Sequence, residues 1–318
     1  MARDRPAQDD DHSLAIRAAW LHYVGGLTQS AVAKRLHLPS VKTHRLIARA
    51  VAEGAVKVSI DGEIVECIEL EAELSETFGL ETCRVAPDLA EEGLPVRALG
   101  ISGASFLRRV LEAGEITSIG IGHGRTLAAA VRNLPRFDPK GIRFVSLLGG
   151  LTRNFSANPH DVMHLLAEKT GAHAYVMPIP FFANTIEDRE VLISQRGVRE
   201  IFDMAEATVL KLVGIGTVDA DTQLVASGMI EQSEIAEIAS QGGIGELLGH
   251  FFDANGRRLE TALTARTLSI SLKEPGKDRI VALAGGASKV DAIRAVLRSG
   301  YLSGLITDEA TARALLDG

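Results

Sequence analysis

Four glycine-rich segments carry the residues of this chain best suited to chemistry: GIGHGRT at 120–126, GGLTRN at 149–154, GIGTVD at 214–219 and GGASK at 285–289. Glycine lets a backbone approach a phosphate or a sugar closely, and the start of a following helix offers unpaired N–H donors. Beside Gly122 and Gly124 stand His123, Arg125 and Thr126; Gly150 is followed by Arg153 and Asn154; Gly286 is followed by Lys289. Any one of these segments, Gly216 included, needs to be no more than a tight turn. Four of them, three with a cation alongside, predict a site for a phosphorylated or polyhydroxy ligand. The stretch GIGELLGHFFDANGRRLE, which ends at Glu260, reads as a helix followed by a loop. In that loop Asp253 and Asn255 could bond to sugar hydroxyls, although Asp-x-Asn-Gly is equally a common turn.

Other ligands for these glycines are disfavoured. GIGHGRT has the spacing G-x-G-x-G and lacks the dinucleotide pattern G-x-G-x-x-G, and no strand-end acid follows at about twenty residues. No phosphate loop of the G-x-x-x-x-G-K-[ST] kind is present, since Lys289 follows Gly286 by three with no adjacent Ser or Thr. His160, His164 and His173 lack the acid partner of a zinc enzyme, and Cys67 and Cys83 stand in no metal-ligand spacing. No cofactor and no metal are expected. The two cysteines read as small buried apolar residues.

A second kind of chemistry gathers near the start. SVKTHRLIARAVAEGAVKVSI, residues 40–60, holds Lys42, Arg45, Arg49 and Lys57 against the single acid Glu53, in a protein of net charge −7. Residues 1–60 sum to +4, which leaves −11 for the rest. Such asymmetry predicts an anion-seeking module joined to an acidic body. Its elements follow from periodicity and punctuation. SLAIRAAWLHYV (13–24) reads as a helix with Ser13 as N-cap and Leu14, Ala18, Leu21, Trp20 and Tyr23 at helical spacing. Gly25-Gly26 stops it. Thr28 opens a second helix with Ala31, Val32 and Leu36 on one face, HLPS turns the chain, and Ser40 caps a third helix that ends at Gly54. AVKVSI then alternates as a strand does.

Three short helices and a strand spell a winged helix-turn-helix. A helix entering the major groove needs cations for phosphates and polar side chains for base edges. Leu46, Ile47 and Ala50 are expected to pack inward, leaving Ser40, Lys42, Thr43, His44, Arg45 and Arg49 toward DNA, with Thr28 and Gln29 at the start of the second helix joining them.

The 318 residues, 46% apolar with few aromatics, are enough for a second and larger domain. The stretch 63–78, EIVECIELEAELSETF, predicts a connector helix with apolar positions 64, 65, 68, 74 and 78 and a very acidic outer face. Beyond about residue 80, short apolar runs ending in glycine (ITSIGIGHG, RFVSLLGG, AYVMPIP, TVLKLVGIG, RIVALAGG, YLSGLIT) alternate with helical segments. That alternation predicts a parallel sheet covered on both faces, with ligands outside the carboxyl ends of its strands. The predicted domains are 1–60, a connector at 61–80, and an effector-binding and oligomerisation body at 81–318. No secretory signal opens the chain and no apolar run spans a bilayer, so a cytoplasmic protein is expected.

At this point the residues resemble a known family. LTQSAVAKRLHLPS, HRLIARAVAEGAV, SIGIGHGRTL, LLGG, VGIGTV, GELLGHFFDANG and, most specifically, ALAGGASKVDAIRAVLRSGYLSGLITDEATARALL are similar to the SorC family of sugar-responsive transcriptional regulators, over nearly the whole chain. The opening SLAIRAAWLHYVGGLTQ resembles regulators of polyol catabolism, erythritol operon repressors among them. The resemblance implies a winged helix-turn-helix joined to a Rossmann-like α/β effector domain related to ribose-5-phosphate isomerase and glucosamine-6-phosphate deaminase. It further implies a homo-tetramer whose DNA affinity is set by a sugar, polyol or sugar phosphate. Where the family usually reads Val-Ser-Arg-Leu-Leu, this chain has Thr43-His44-Arg45-Leu46-Ile47, so a small serine facing DNA is replaced by His44. His123 and Arg125 stand where smaller residues are often found, and this leaves a neutral polyol as an alternative to a phosphate.

The competing reading is an enzyme, a sugar-phosphate isomerase or deaminase with a nucleic-acid-binding appendage. It would need a carboxylate base at the substrate's acidic C–H. The candidates are Asp219, Asp253 and Asp308, and Thr307 or Asp308 is more simply the N-cap of the final helix. No carboxylate pair sits in an isomerase motif, and a regulator is the expectation.

Overall fold

The computed structural model describes residues 7–56, 64–150, 162–220 and 222–317. The chain divides into two compact units, Met1–Gly62 and Glu63–Gly318. No helix among the described residues is long and apolar enough to cross a membrane.

The first unit is helical where described. Helix α1 runs Ala7–Ala19 and widens into one π-helical turn, Trp20–Val24, closed by Gly25 N–H donating to the Trp20 carbonyl at 3.0 Å. Ser13 therefore lies inside a helix and is not its cap. Helix α2, Gln29–Leu36, begins on Thr28, whose hydroxyl accepts the Ala31 N–H at 3.2 Å. It ends on His37 in the left-handed region (φ 54°), which reverses the chain within three residues. Helix α3, Ser40–Ala52, follows; Pro39 is its N-cap and no side chain caps it, so Ser40 is its first residue. Ala15, Ala18, Ala19, Val32, Leu46, Ile47 and Ala50 form the core, with Leu14, Leu21 and Leu36 against it. Gly54 (φ 73°) stops α3 as predicted. Of the strand expected at 55–60, Ala55 and Val56 are not in a strand, and residues 57–60 fall outside the described residues.

The second unit opens with helix α4, Val65–Phe78, which buries Cys67, Leu70 and Leu74. The connector's helix is where the sequence put it, but its inward face differs: Ile64, Val65 and Ile68 are exposed. The phase is set by Glu71, whose carboxylate accepts the Val85 N–H at 3.0 Å and the Arg84 guanidinium at 3.1 Å. Strands β1 (Thr82–Ala86), β2 (Ser118–Ile121), β3 (Arg143–Ser146), β4 (His173–Tyr175), β5 (Leu210–Val213), β6 (Gly216–Thr217), β7 (Gly243–Leu247), β8 (His250–Asp253), β9 (Arg258–Leu259), β10 (Arg279–Leu283) and β11 (Gly304–Asp308) build two sheets.

Seven strands form one parallel sheet in the order β1-β11-β10-β5-β2-β3-β4. Alternate residues of each central strand enter different cores. Leu210, Leu212, Val281, Leu283 and Ile306 pack with helix α5 (Val96–Ala113) and helix α6 (Arg125–Asn133). Val213, Ile280, Ala282 and Leu305 pack with α4 and with the helices Val290–Arg298 and Glu309–Leu316. Both faces are thus covered, which is why the strands read as continuous apolar runs. Six of the seven were legible; β1 was not among them.

Strands β6 to β9 make a four-stranded antiparallel sheet inserted after β5. This corrects the helix expected in GIGELLGHFF: Gly243–Leu247 and His250–Asp253 are a hairpin whose two-residue turn puts Leu248 (φ 52°) and Gly249 (φ 80°) in the left-handed region. Gly245 cannot carry a side chain there, because a Cβ would meet the Ala292 carbonyl oxygen at 2.6 Å.

Candidate functional site

On α3 the exposed positions are Ser40, Val41, Lys42, His44, Arg45, Ala48, Arg49, Val51 and Ala52. Lys42, His44, Arg45 and Arg49 thus stand on the side away from the buried Leu46, Ile47 and Ala50. Thr43 does not belong to it. Its side chain is fully buried and its hydroxyl donates to the Pro39 carbonyl at 3.2 Å, so it locks the first turn of the helix. Thr28 and Gln29 are exposed, Thr28 with its hydroxyl already engaged as a cap. Lys42 lies 3.7 Å from Asp11, and Arg49 Nε donates to Glu53 Oε1 at 2.6 Å while His12 Nδ1 is 2.8 Å from Oε2. Glu53 is held below the usual carboxylate range first by the Arg49 hydrogen bond and then by that of His12.

The second site lies at the carboxyl ends of the parallel strands. Strand β2 leads through α6 to β3 on one side, while β5 leads on to β10 on the other, so chain direction reverses between β2 and β5. At such a switch point the loops part and leave a crevice. Gly122, His123 and Gly124 follow β2, and Gly124 (φ 136°) is the N-cap of α6 with no side-chain cap. The Gly122 N–H donates to the Leu212 carbonyl at 2.8 Å, and a Cβ there would sit a tight 3.3 Å from the same oxygen. His123 is half-buried and Arg125 exposed. Thr126 is buried and its hydroxyl donates to the Leu283 carbonyl at 2.9 Å, so it ties α6 to β10 and offers nothing to a ligand.

From β10, Gly285 and Gly286 (φ 104°) lead into a short turn at Ala287–Lys289. The Gly286 N–H donates to Thr311 Oγ1 at 2.7 Å and Asp308 Oδ2 at 3.3 Å, and Asp308 also accepts the Thr311 N–H at 3.0 Å. This confirms Asp308 as the N-cap of the final helix and shows why the glycine loop is rigid. Lys289 reaches across to the segment between β5 and β6, donating from Nζ to the Ile215 carbonyl at 2.5 Å. Burial, and next the charge of Arg125, push its pKa below the ordinary lysine range, against the pull of Glu246 and Asp219.

Glu246 was missed from sequence. It projects from β7 over Gly216, accepting the Gly249 N–H at 2.5 Å, and burial raises its pKa. Lys289 and Glu246 are therefore both shifted toward their neutral forms. Desolvation outweighs their mutual attraction at this point of the fold. Only the inserted antiparallel sheet brings Glu246 here, some thirty residues from the glycines it covers, and the one local sign was a charge inside an apolar run.

The remaining expected residues separate. Gly150 lies four residues past the end of β3 in an isolated bridge to Pro180, its N–H donating to the Ile179 carbonyl at 2.8 Å and its carbonyl accepting from the Phe181 N–H at 3.1 Å, so its backbone is spent on pairing. Arg153 and Asn154 lie outside the described residues. Asp253 is turn chemistry: Oδ1 accepts the Asn255 and Arg257 N–H groups, each at 2.9 Å, and those bonds hold its pKa low. It closes the β8–β9 hairpin. The crevice consequently contains Gly122, His123, Gly124, Arg125, Gly216, Glu246 and Lys289, with Asp219 near enough to act on Lys289.

Residues 62–317 match the family of sugar-binding domains. Over 308 residues the chain is 68% identical to the erythritol catabolism regulatory protein EryD of Brucella abortus (strain 2308), covering 97% of this chain and 98% of that one. It is 34% identical over 312 residues to the transcriptional regulator LsrR of Enterobacter sp. (strain 638), covering 96% and 93%. The full-length sorbitol operon regulator SorC of Klebsiella pneumoniae superposes with a TM-score of 0.70 at 26% identity, covering 96% of this chain and 99% of that one.

Proposed function

The chain belongs to the SorC-type sugar-binding transcriptional regulators, and on that premise we propose that it represses a polyol-catabolic operon and is released or retained on its operator by a polyol or polyol phosphate. The relative named for erythritol catabolism makes a four-carbon polyol the first effector to test. The observation that carries the effector reading is the crevice itself: two cations, Arg125 and Lys289, with the acids Glu246 and Asp219 around an uncapped helix start at the switch point. Carboxylates accept from ligand hydroxyls, and the cations suit a phosphate. Of the candidate bases, Asp253 and Asp308 are bound up in a turn and a cap, which argues against an enzymatic role.

DNA is read, on this proposal, by the exposed face of α3, and the body supplies the contacts of a homo-tetramer. The kinship to sugar-phosphate isomerases belongs to the same proposal, since those folds hold phosphorylated sugars at the strand ends. Effector binding acts by differential affinity for two arrangements of the assembly.

A thermal-shift screen of the full chain against erythritol, its phosphates and other polyols tests the effector class, because a ligand of the folded form raises the melting temperature. A response confined to non-carbohydrate anions would overturn it. For DNA, Arg45→Ala and Lys42→Ala are expected to weaken operator binding without changing the melting temperature. Loss of a base contact should cost about 1–3 kcal/mol at that base, whereas loss of a phosphate contact should lower the salt slope by about 1. Operator affinity and salt dependence unchanged in both variants would remove these residues from the DNA surface.

A further inference from the structure

Helix α3 turns a mainly apolar crest outward. Thr43, Leu46, Ile47 and Ala50 are buried, and at about 100° per residue the positions opposite the middle of that group are Val41, Arg45, Ala48 and Ala52. All four are exposed. Val41, at 74%, is more exposed than any other large apolar side chain among the described residues. Lys42 and Arg49 stand about a quarter-turn to one side of this crest, and His44 stands on the other side. The two flanking cations have acids beside them. Lys42 Nζ is 3.7 Å from Asp11 Oδ1, and Arg49 Nε donates to Glu53 Oε1 at 2.6 Å, with His12 Nδ1 2.8 Å from Oε2. Arg45, the charged residue of the crest, makes no ion pair among the described residues. A lone exposed valine would need no explanation. Here it is aligned with Arg45 and two further methyl-bearing side chains along the outer line of a helix whose flanks hold the other cations.

We propose that this crest reads DNA through methyl groups: Arg45 donates to N7 and O6 of one guanine, while Val41 and Ala48 pack on the C5-methyl groups of thymines beside it. The inference rests on α3 being the helix that enters the major groove. There thymine presents a methyl that no other base carries, and the two guanine acceptors match the fork of a guanidinium. Along the helix Val41 and Arg45 are about 6 Å apart, and Arg45 and Ala48 about 4.5 Å. Base pairs repeat every 3.4 Å or so, which puts the thymines within about two base pairs of the guanine. Lys42 and Arg49 face one wall of the groove and His44 the other, where phosphates fix position without carrying sequence. Asp11 and Glu53 weaken the attraction on the first wall, so the sequence-independent part of binding is kept small and the crest decides the site.

The test begins with selection of binders from a library of random duplexes by the full chain. The best duplex is then resynthesised with deoxyuridine at each thymine in turn, which removes the methyl group and leaves base pairing intact. For wild type, uracil beside one guanine is expected to weaken binding about threefold or more, and uracil elsewhere by less than about 1.5-fold. Val41→Ala, which removes two methyl groups from an exposed position, should keep the wild-type melting temperature and the guanine preference. At one of the sensitive positions it should bind thymine and uracil alike. Arg45→Ala should lose the guanine preference by about 5- to 100-fold and still distinguish thymine from uracil. Uracil tolerated at every thymine, or a Val41→Ala variant that discriminates as wild type does, would overturn the methyl reading, and a guanine effect of Arg45→Ala would still leave α3 in the groove. Selected sequences identical for wild type and both variants would take α3 out of the groove and the proposal with it.

Discussion

Lys289→Ala is expected to raise the effector concentration needed for half-response by about 10- to 100-fold while leaving operator affinity without effector unchanged. The magnitude follows from one charge-assisted hydrogen bond, worth about 1.5–3 kcal/mol, lost in a desolvated crevice. The ammonium now donates to the Ile215 carbonyl and is surrounded by Arg125, Glu246 and Asp219. Because burial and Arg125 hold its pKa below the ordinary lysine range, an anionic effector would favour the protonated form, and its affinity should fall as pH rises through that pKa. A neutral polyol should show a weaker dependence, so the pH profile of the midpoint distinguishes the two ligand classes. The measurement is operator binding titrated with effector at fixed salt. Identical midpoints for wild type and variant would mean that Lys289 only ties the loop after β10 to the segment after β5 and touches no ligand.

The largest stability effect should come from the far end of the same sheet. Lys211 in β5 is only 1% exposed, and its ammonium donates to Asp278 Oδ1 at 2.9 Å, the Thr208 carbonyl at 3.0 Å and the Glu206 carbonyl at 3.3 Å. A buried cation with three oxygen partners is tolerable; the same oxygens without the cation are not. Lys211→Ala leaves the 15%-exposed Asp278 carboxylate and two carbonyls unpaired and opens a cavity, which should destabilise by about 3–5 kcal/mol. Adding Asp278→Asn removes the lone charge and should recover part of that loss, a coupling that two independent sites would not show. Urea unfolding of the body at neutral pH reads both. A loss under 1 kcal/mol for Lys211→Ala would show that water replaces the ammonium there.

Lys211 also marks the boundary of what could be read from residues alone. TVLKLVGIG was legible as a strand because a parallel strand covered on both faces needs an unbroken apolar run, and one lysine does not break it. Where that lysine's charge would go was not legible, since Asp278 is 67 residues away and reaches it only because β5 and β10 are neighbours. Glu246 follows the same rule. Its neighbours in sequence read as an apolar helix, since Gly-Ile-Gly-Glu-Leu-Leu has no decisive period, and pairing with β6 and β8 made it a strand. Asp253 failed in the opposite direction: its chemistry suited a sugar, but its nearest donors were the N–H groups of its own turn, and local bonds formed first.

Local order determined a great deal by itself. Helix starts and stops at Thr28, His37 and Gly54, the six apolar strands, the charge split between the ends of the chain and the glycines at strand ends all rest on interactions within a few residues, and a sequence displays those directly. Tertiary structure alone decided which side of a helix faces inward, as with Thr43 on α3 and Ile64, Val65 and Ile68 at α4. It alone decided that Thr126 is spent on Leu283, and that Arg125, Glu246 and Lys289 share one crevice. The reason is physical. Burial and hydrogen-bond pairing depend on what lies across the fold, and strand order, which brings residues from three distant segments to one switch point, is a property of the whole chain that no short stretch carries.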